Sequence, residues 1–284
     1  MTPLANDHPP MICAGPCAIK GFAYALLIGV LGGLIGLGGA EFRLPVLIGV
    51  FGLLSLQAVI ANKALSLLVV SVALASRLPA VGPGELWQHR EVIFNLLAGS
   101  LLGAWWAAGW AMRLPRRTLD TVLFVLLLFL ACAMAAEQVF GLRALPSLQH
   151  TLPFWLQAAL GVAAGLLIGV VAAVMGVAGG ELLIPTIVLL WGVDVKLAGS
   201  LSLLISLPTM IVGFVRYRES AAFQVLRQQR SLLIFMALGS LLGAVSGGLL
   251  VGVVPTEGLG LLLAAILSLS AWKVFRHRRH TASN

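Results

Sequence analysis

Apolar stretches long enough to cross a bilayer recur along the whole of this chain, and they leave few alternatives for its fold. A membrane-spanning helix needs about 20 apolar residues. Runs near that length fall at roughly 18–38, 57–79, 91–112, 118–140, 154–177, 196–215, 231–252 and 257–275. Of the 284 residues, 60% are hydrophobic and 10% charged, against about 25% charged in a soluble domain. A soluble enzyme, a nucleic-acid-binding domain and a disordered chain are excluded on that ground. The formal net charge of +8 does not reverse this, because the basic residues gather in loops and in the C-terminal tail. The expected fold class is all-α, a polytopic membrane protein.

A duplication organises the chain. Gly29, Gly36, Gly39, Glu41, Pro45 and Gly52 recur at a constant offset of 140 as Gly169, Gly176, Gly179, Glu181, Pro185 and Gly192. Gly99 to Ala104 recurs as Gly239 to Ala244, and Pro115 as Pro255. Between these blocks the register slips, so that Ala61-Asn62-Lys63 faces Ala198-Gly199-Ser200. The expected organisation is a disordered tail over 1–16, repeat one over 17–145, repeat two over 146–276 and a basic cytoplasmic tail over 277–284.

Each repeat also contains a shorter apolar segment, at roughly 42–54 and 181–192. A helix of about 12 residues is about 18 Å long, too short for a hydrocarbon core of about 30 Å. Glycine-rich breaks, Gly36-Leu37-Gly38-Gly39 and Gly176-Val177-Ala178-Gly179-Gly180, lead into these segments. Pro45 and Pro185 then fall in a first turn, where a missing N–H does little harm. Each repeat is therefore read as about four full transmembrane helices plus a short broken-helix hairpin segment. Counting five crossings per repeat puts Arg113/Arg116/Arg117, Arg216/Arg218/Arg227/Arg230 and the tail on one side, expected to be cytoplasmic. Five is odd, so the two repeats are expected to have inverted topology. Re-entrant hairpins are the alternative count.

The sequence also limits the chemistry. All five His residues lie in tails or loops, so no intramembrane metal set and no cofactor is expected. Three cysteines, an odd number without a Cys-x-x-Cys pair, argue against a disulfide framework. No P-loop sequence is present, and no stretch outside the membrane is long enough for a catalytic domain. The chain is not expected to be an enzyme.

The breaks are the best site candidates. A helix N-terminus carries about half a positive charge and unpaired N–H donors, which suit an anion. Gly38, Gly39, Ala40, Gly179 and Gly180 would supply backbone amides; the bland alternative is close helix packing. Glu41 and Glu181 follow at once, and a carboxyl inside a membrane segment is costly and by default functional. Both are candidates for substrate binding and proton coupling, or else first-turn residues held by the helix dipole. Arg43, which has Leu183 as its counterpart, either neutralises Glu41 or attracts a substrate. Asn62, Ser200 and Ser202 would complete the cavity, while Lys63 either joins them or snorkels to the interface. Trp105, Trp106 and Trp110 read as an interfacial belt.

These residues carry a resemblance. Gly36-Leu37-Gly38-Gly39-Ala40-Glu41-Phe42-Arg43-Leu44-Pro45 and Gly176-Val177-Ala178-Gly179-Gly180-Glu181-Leu182-Leu183-Ile184-Pro185 resemble the paired glycine-proline motifs of the TauE/SafE sulfite exporter family, also called toluenesulfonate uptake permeases. Ala198 to Leu203 is similar to the hydroxyl motif that follows the second of them. The resemblance implies a bacterial inner-membrane transporter of sulfite, thiosulfate, sulfoacetate or an organosulfonate. Ala40 and Ala178 depart from the usual triple glycine, and Glu41 and Glu181 stand where an apolar residue is common. Unprotonated, they would repel an anion, which makes proton linkage part of the expectation. The functional expectation is a secondary transporter working by alternating access, with a small sulfur-containing anion and the lipid bilayer as partners and no nucleic acid. A passive anion or small-solute channel and a non-transporting scaffold subunit are the alternatives, and a homo-oligomer is left open.

Overall fold

The computed structural model describes residues 16–35, 39–81, 83–140, 148 and 151–249. They form α1 (Pro16–Ile35), α2 (Ala40–Gly49), α3 (Ser55–Val81), α4 (Pro83–Gln88), α5 (Arg90–Arg113), α6 (Arg116–Phe140), α7 (Phe154–Met175), α8 (Gly180–Trp191), α9 (Val195–Tyr217), α10 (Val225–Gln228) and α11 (Arg230–Leu249). A 3-10 turn over Ala221–Gln224 precedes α10. No strand occurs among the described residues. Seven of these helices (α1, α3, α5, α6, α7, α9 and α11) are long and apolar enough to cross a membrane. The protein is an all-α, multi-pass membrane protein. The expected segment at 257–275 and the two terminal tails, apart from Pro16, lie outside the described residues.

The short helices double back. Phe51, just past α2, lies edge-on against Tyr24 near the start of α1, with ring centroids 6.3 Å apart. Trp191, at the end of α8, reaches Gly161 near the start of α7, where an added Cβ would lie 2.6 Å from its ring. Phe51 and Trp191 are 140 residues apart, as are Gly21, which also faces Phe51, and Gly161. α1/α2 and α7/α8 are therefore hairpins, and the count of five separate crossings per repeat does not hold. Too short to reach the far side, α2 and α8 return to the end from which each hairpin began.

Matched glycines set the packing between the halves. A Cβ on Gly99 or Gly103 of α5 would collide with the carbonyl oxygens of Val162 or Leu166 of α7. One on Gly239 or Gly243 of α11 would collide with those of Phe22 or Leu26 of α1. Every residue of the first contact set maps onto the second at the offset of 140. Contacts advance in the same order along both partners, so α5 runs parallel to α7, and α1 to α11. Such close approach of backbones is how helices associate where lipid supplies no hydrophobic drive. Each half thus packs its first helix against the third long helix of the other half.

α3 and α9 cross the centre in opposite directions. Lys63, early in α3, meets Gly213, late in α9, while Arg77, late in α3, meets Gly199, early in α9. Asp194 caps α9 by accepting from the N–H groups of Lys196 and Leu197, at 2.9 and 3.4 Å. Pro208 is accommodated inside α9 without breaking it. The ends of α5 and α9 and the starts of α6 and α11 gather at one end of the bundle. That end carries Arg113, Arg116, Arg117, Arg216, Arg218, Arg227 and Arg230. Trp105 and Trp106 face outward toward the same end, with the Arg216 guanidinium 4.8 Å from the Trp105 ring centroid. Cys17 is disulfide-bonded, and Cys132 is a free, exposed thiol.

Candidate functional site

The turns into the short helices require left-handed backbone, which glycine adopts without the penalty a Cβ brings. Gly39 has φ 69° and Gly179 φ 78°, and each occupies the N-cap position of its short helix. Having no side chain, neither glycine can cap the first-turn N–H groups, which an α-helix cannot satisfy internally. Gly176 ends α7 in the same conformation, φ 71°, and packs so closely on the Val59 carbonyl of α3 that a Cβ would collide. The second turn is tied to α9 through Ser206, whose hydroxyl donates to the Ala178 carbonyl at 2.7 Å.

The two turns meet. Glu41, in the first turn of α2, and Glu181, in the first turn of α8, are 1% and 8% exposed, and each lies within reach of the other's charge. No donor reaches Glu41 Oε1 or either carboxyl oxygen of Glu181. Asn62 spans the junction. Its amide donates to the Ala40 carbonyl of the first hairpin at 3.0 Å and to the Met175 carbonyl of the second at 3.3 Å. Its Oδ1 accepts from Arg43 Nε at 3.3 Å.

Of the residues singled out in the sequence, Gly39, Ala40, Glu41, Gly179, Gly180, Glu181 and Asn62 come together here. Ser202 joins them from α9, its Oγ 3.9 Å from where a Cβ on Gly180 would lie, though its hydroxyl donates to its own helix at Gly199. Ser200 is buried on α9 but two residues from Ser202, so it faces another way, and no hydrogen bond ties it to the turns. Gly38 lies outside the described residues.

Two expectations about cations change. Lys63 does not reach the interface. It is fully buried, and its ammonium donates to the Ala172 carbonyl at 3.3 Å, near the C-terminal end of α7, where the helix dipole favours a positive charge. Tyr217 serves the adjacent Ala173 carbonyl at 3.0 Å. Arg43 attracts Glu41 through space but makes no hydrogen bond to it. Its guanidinium donates to Asn62, to Ser66 Oγ at 2.7 Å and to Ser240 Oγ at 2.9 Å. Ser66 and Ser240 went unnoticed in the sequence because a single hydroxyl inside an apolar helix ordinarily bonds its own backbone. Only Arg43, a lone cation in the short helix, hinted at them.

A cavity of about 420 Å³ opens separately at the arginine-rich end, where Ser55, Gln57, Leu114, Arg116, Gln224 and Gln228 line it. Ser55 donates there to Asp120. Among the described residues, no group of three His, Cys, Asp or Glu side chains is placed to hold a metal ion.

Against protein families, the model described as Sulfite exporter TauE/SafE matches residues 7–134 and 160–284. The chain belongs to the TauE/SafE sulfite exporter family. The two matched stretches cover both halves of the duplication, and the gap between them, 135–159, spans the junction of the halves. Comparison with curated proteins and with solved structures found no match. Membership of TauE/SafE makes this a membrane protein of a sulfite exporter family.

Proposed function

We propose that this chain is a secondary transporter of small sulfur-containing anions such as sulfite, thiosulfate, sulfoacetate or an organosulfonate. It works by alternating access between two inverted repeats, with transport linked to protons. One observation carries the reading: two uncapped, glycine-initiated helix starts meet in the buried centre, carboxyl against carboxyl, at Glu41 and Glu181. Helix N-termini buried at the interface of repeats form the sites of many secondary transporters, and here they belong to a TauE/SafE chain. The antiparallel crossing of α3 and α9 supports the inverted relation.

Gly39, Ala40, Gly179 and Gly180 would offer backbone N–H groups to the anion, together with the first turn's Gly38. Asn62 and Ser202 line the approach, and Ser200 contributes in the opposite-facing state. Glu41 and Glu181 exchange the coupling proton, because two buried carboxylates that act on each other's charge cannot both ionise cheaply. The arginine-rich end is placed in the cytoplasm of a bacterial inner membrane, with the C-terminus on that side, following the positive-inside rule.

Purified protein in liposomes loaded with labelled sulfite or an organosulfonate tests this. Saturable uptake or efflux that responds to an imposed pH gradient supports the proposal. Flux that never saturates and ignores the gradient refutes it and marks a channel.

A further inference from the structure

The buried centre contains an arginine that hydrogen-bonds no acid. Arg43 is 1% exposed, and a guanidinium stays charged in any protein environment. Holding such a charge out of water costs several kcal/mol unless a counter-charge offsets it. Among the described residues the only buried acids are Glu41 and Glu181; Glu41 attracts the guanidinium through space, but neither acid hydrogen-bonds it. Arg43 instead touches three neutral side chains, Asn62, Ser66 and Ser240. The other buried cation, Lys63, lies against the α7 carbonyl end.

The contacts leave a surplus of donors. A guanidinium has five N–H groups, and three are engaged here. Ser66 and Ser240 each accept from Arg43 and keep an O–H free to donate, while both Asn62 amide hydrogens are directed at backbone carbonyls. Positive charge, a planar fork and two hydroxyl donors form a cluster suited to an oxyanion bound through two oxygens. Its parts come from α2 and α3 of the first half and α11 of the second. The second hairpin has Leu183 where Arg43 stands, so this chemistry exists on one side only.

We infer that Arg43, with the hydroxyls of Ser66 and Ser240, anchors two oxygens of the transported sulfite or sulfonate group on the first-hairpin side of the carboxyl pair. The inference rests on the transporter reading above.

The test is equilibrium binding to the purified full chain, with sulfite, thiosulfate and methanesulfonate as probes and chloride as control. Ligand-induced thermal stabilisation is read alongside, since a ligand specific to the native state raises its Tm. Arg43→Gln is expected to raise the Kd for whichever probe binds by about 10- to 100-fold, the usual worth of a hydrogen bond to a charged group. Arg43→Lys should recover part of the loss. If Arg43→Gln does not fold, Ser66→Ala combined with Ser240→Ala decides, because it leaves the guanidinium in place and should still weaken binding several-fold. Wild-type binding that these variants leave unchanged overturns the anchor but not the transporter. A wild type that binds none of the probes overturns both.

Discussion

Glu41 and Glu181, 140 residues apart in the chain, bring their carboxyl groups together where the two helical hairpins meet. Among the described residues, neither acid has a cation as its hydrogen-bonding partner, although Arg43 is only two residues from Glu41. That pairing of like with like is the feature most exposed to experiment.

Glu41→Gln together with Glu181→Gln is expected to leave the protein folded, because two amides can hydrogen-bond to each other where two carboxylates cannot. Transport by the double variant should lose its response to a pH gradient. Proteoliposome flux measured with and without the gradient checks this, and an unchanged response would remove the acids from coupling.

Gly176→Ala should destabilise the protein more than Gly52→Ala. Both positions have positive φ, 71° and 64°, which costs an L-residue roughly 1–2 kcal/mol. Gly52 has open space around it, whereas a Cβ on Gly176 meets the Val59 carbonyl. Thermal melts of the two variants in the same detergent give the comparison, and equal losses would contradict the packing of the second turn on α3.

Asn62→Ala should lower stability by several kcal/mol. It strips hydrogen-bond partners from the Ala40 and Met175 carbonyls and from Arg43 Nε, each worth about 1–3 kcal/mol when buried and unsatisfied. Asn62→Asp should lose less than Asn62→Ala, since its carboxylate gives up the donors to the carbonyls but sets a counter-charge beside Arg43. A melt of Asn62→Ala within about 1 °C of wild type would sink this account.

Gly99→Val and Gly239→Val are expected to be equally damaging, because each drives a side chain into the backbone of a partner helix in the corresponding place. Gly84→Ala is the control, with nothing within 4 Å of its added Cβ. Yield of monodisperse protein on size exclusion reads all three, and tolerance of one valine but not the other would break the equivalence of the two helix pairs.

Much of this architecture was legible in the sequence. Long apolar runs fix helix positions to within a few residues, since a bilayer sets their length. The offset of 140 located both breaks, because only glycine serves at Gly39, Gly176 and Gly179. The direction of α2 and α8 was not legible: hydropathy measures how far a segment can reach, not which way it turns after a break. Lys63 and Arg43 were open for a related reason. A cation near a helix end can snorkel, pair or stay buried, and the choice falls to partners such as Ala172, Ser66 and Ser240, distant in sequence. Ser202 and Ser200 look interchangeable along the chain, yet helical geometry sends only Ser202 toward the second turn.

The crosswise packing of α1 on α11 and of α7 on α5 bears on how such a chain is made. As it emerges from the ribosome, α1 has no partner until most of the polypeptide has been synthesised, so its glycine face must wait in lipid. A lone first half would keep that face, and the one on α5, unsatisfied. Two such halves would satisfy both faces only by exchanging them about a two-fold axis.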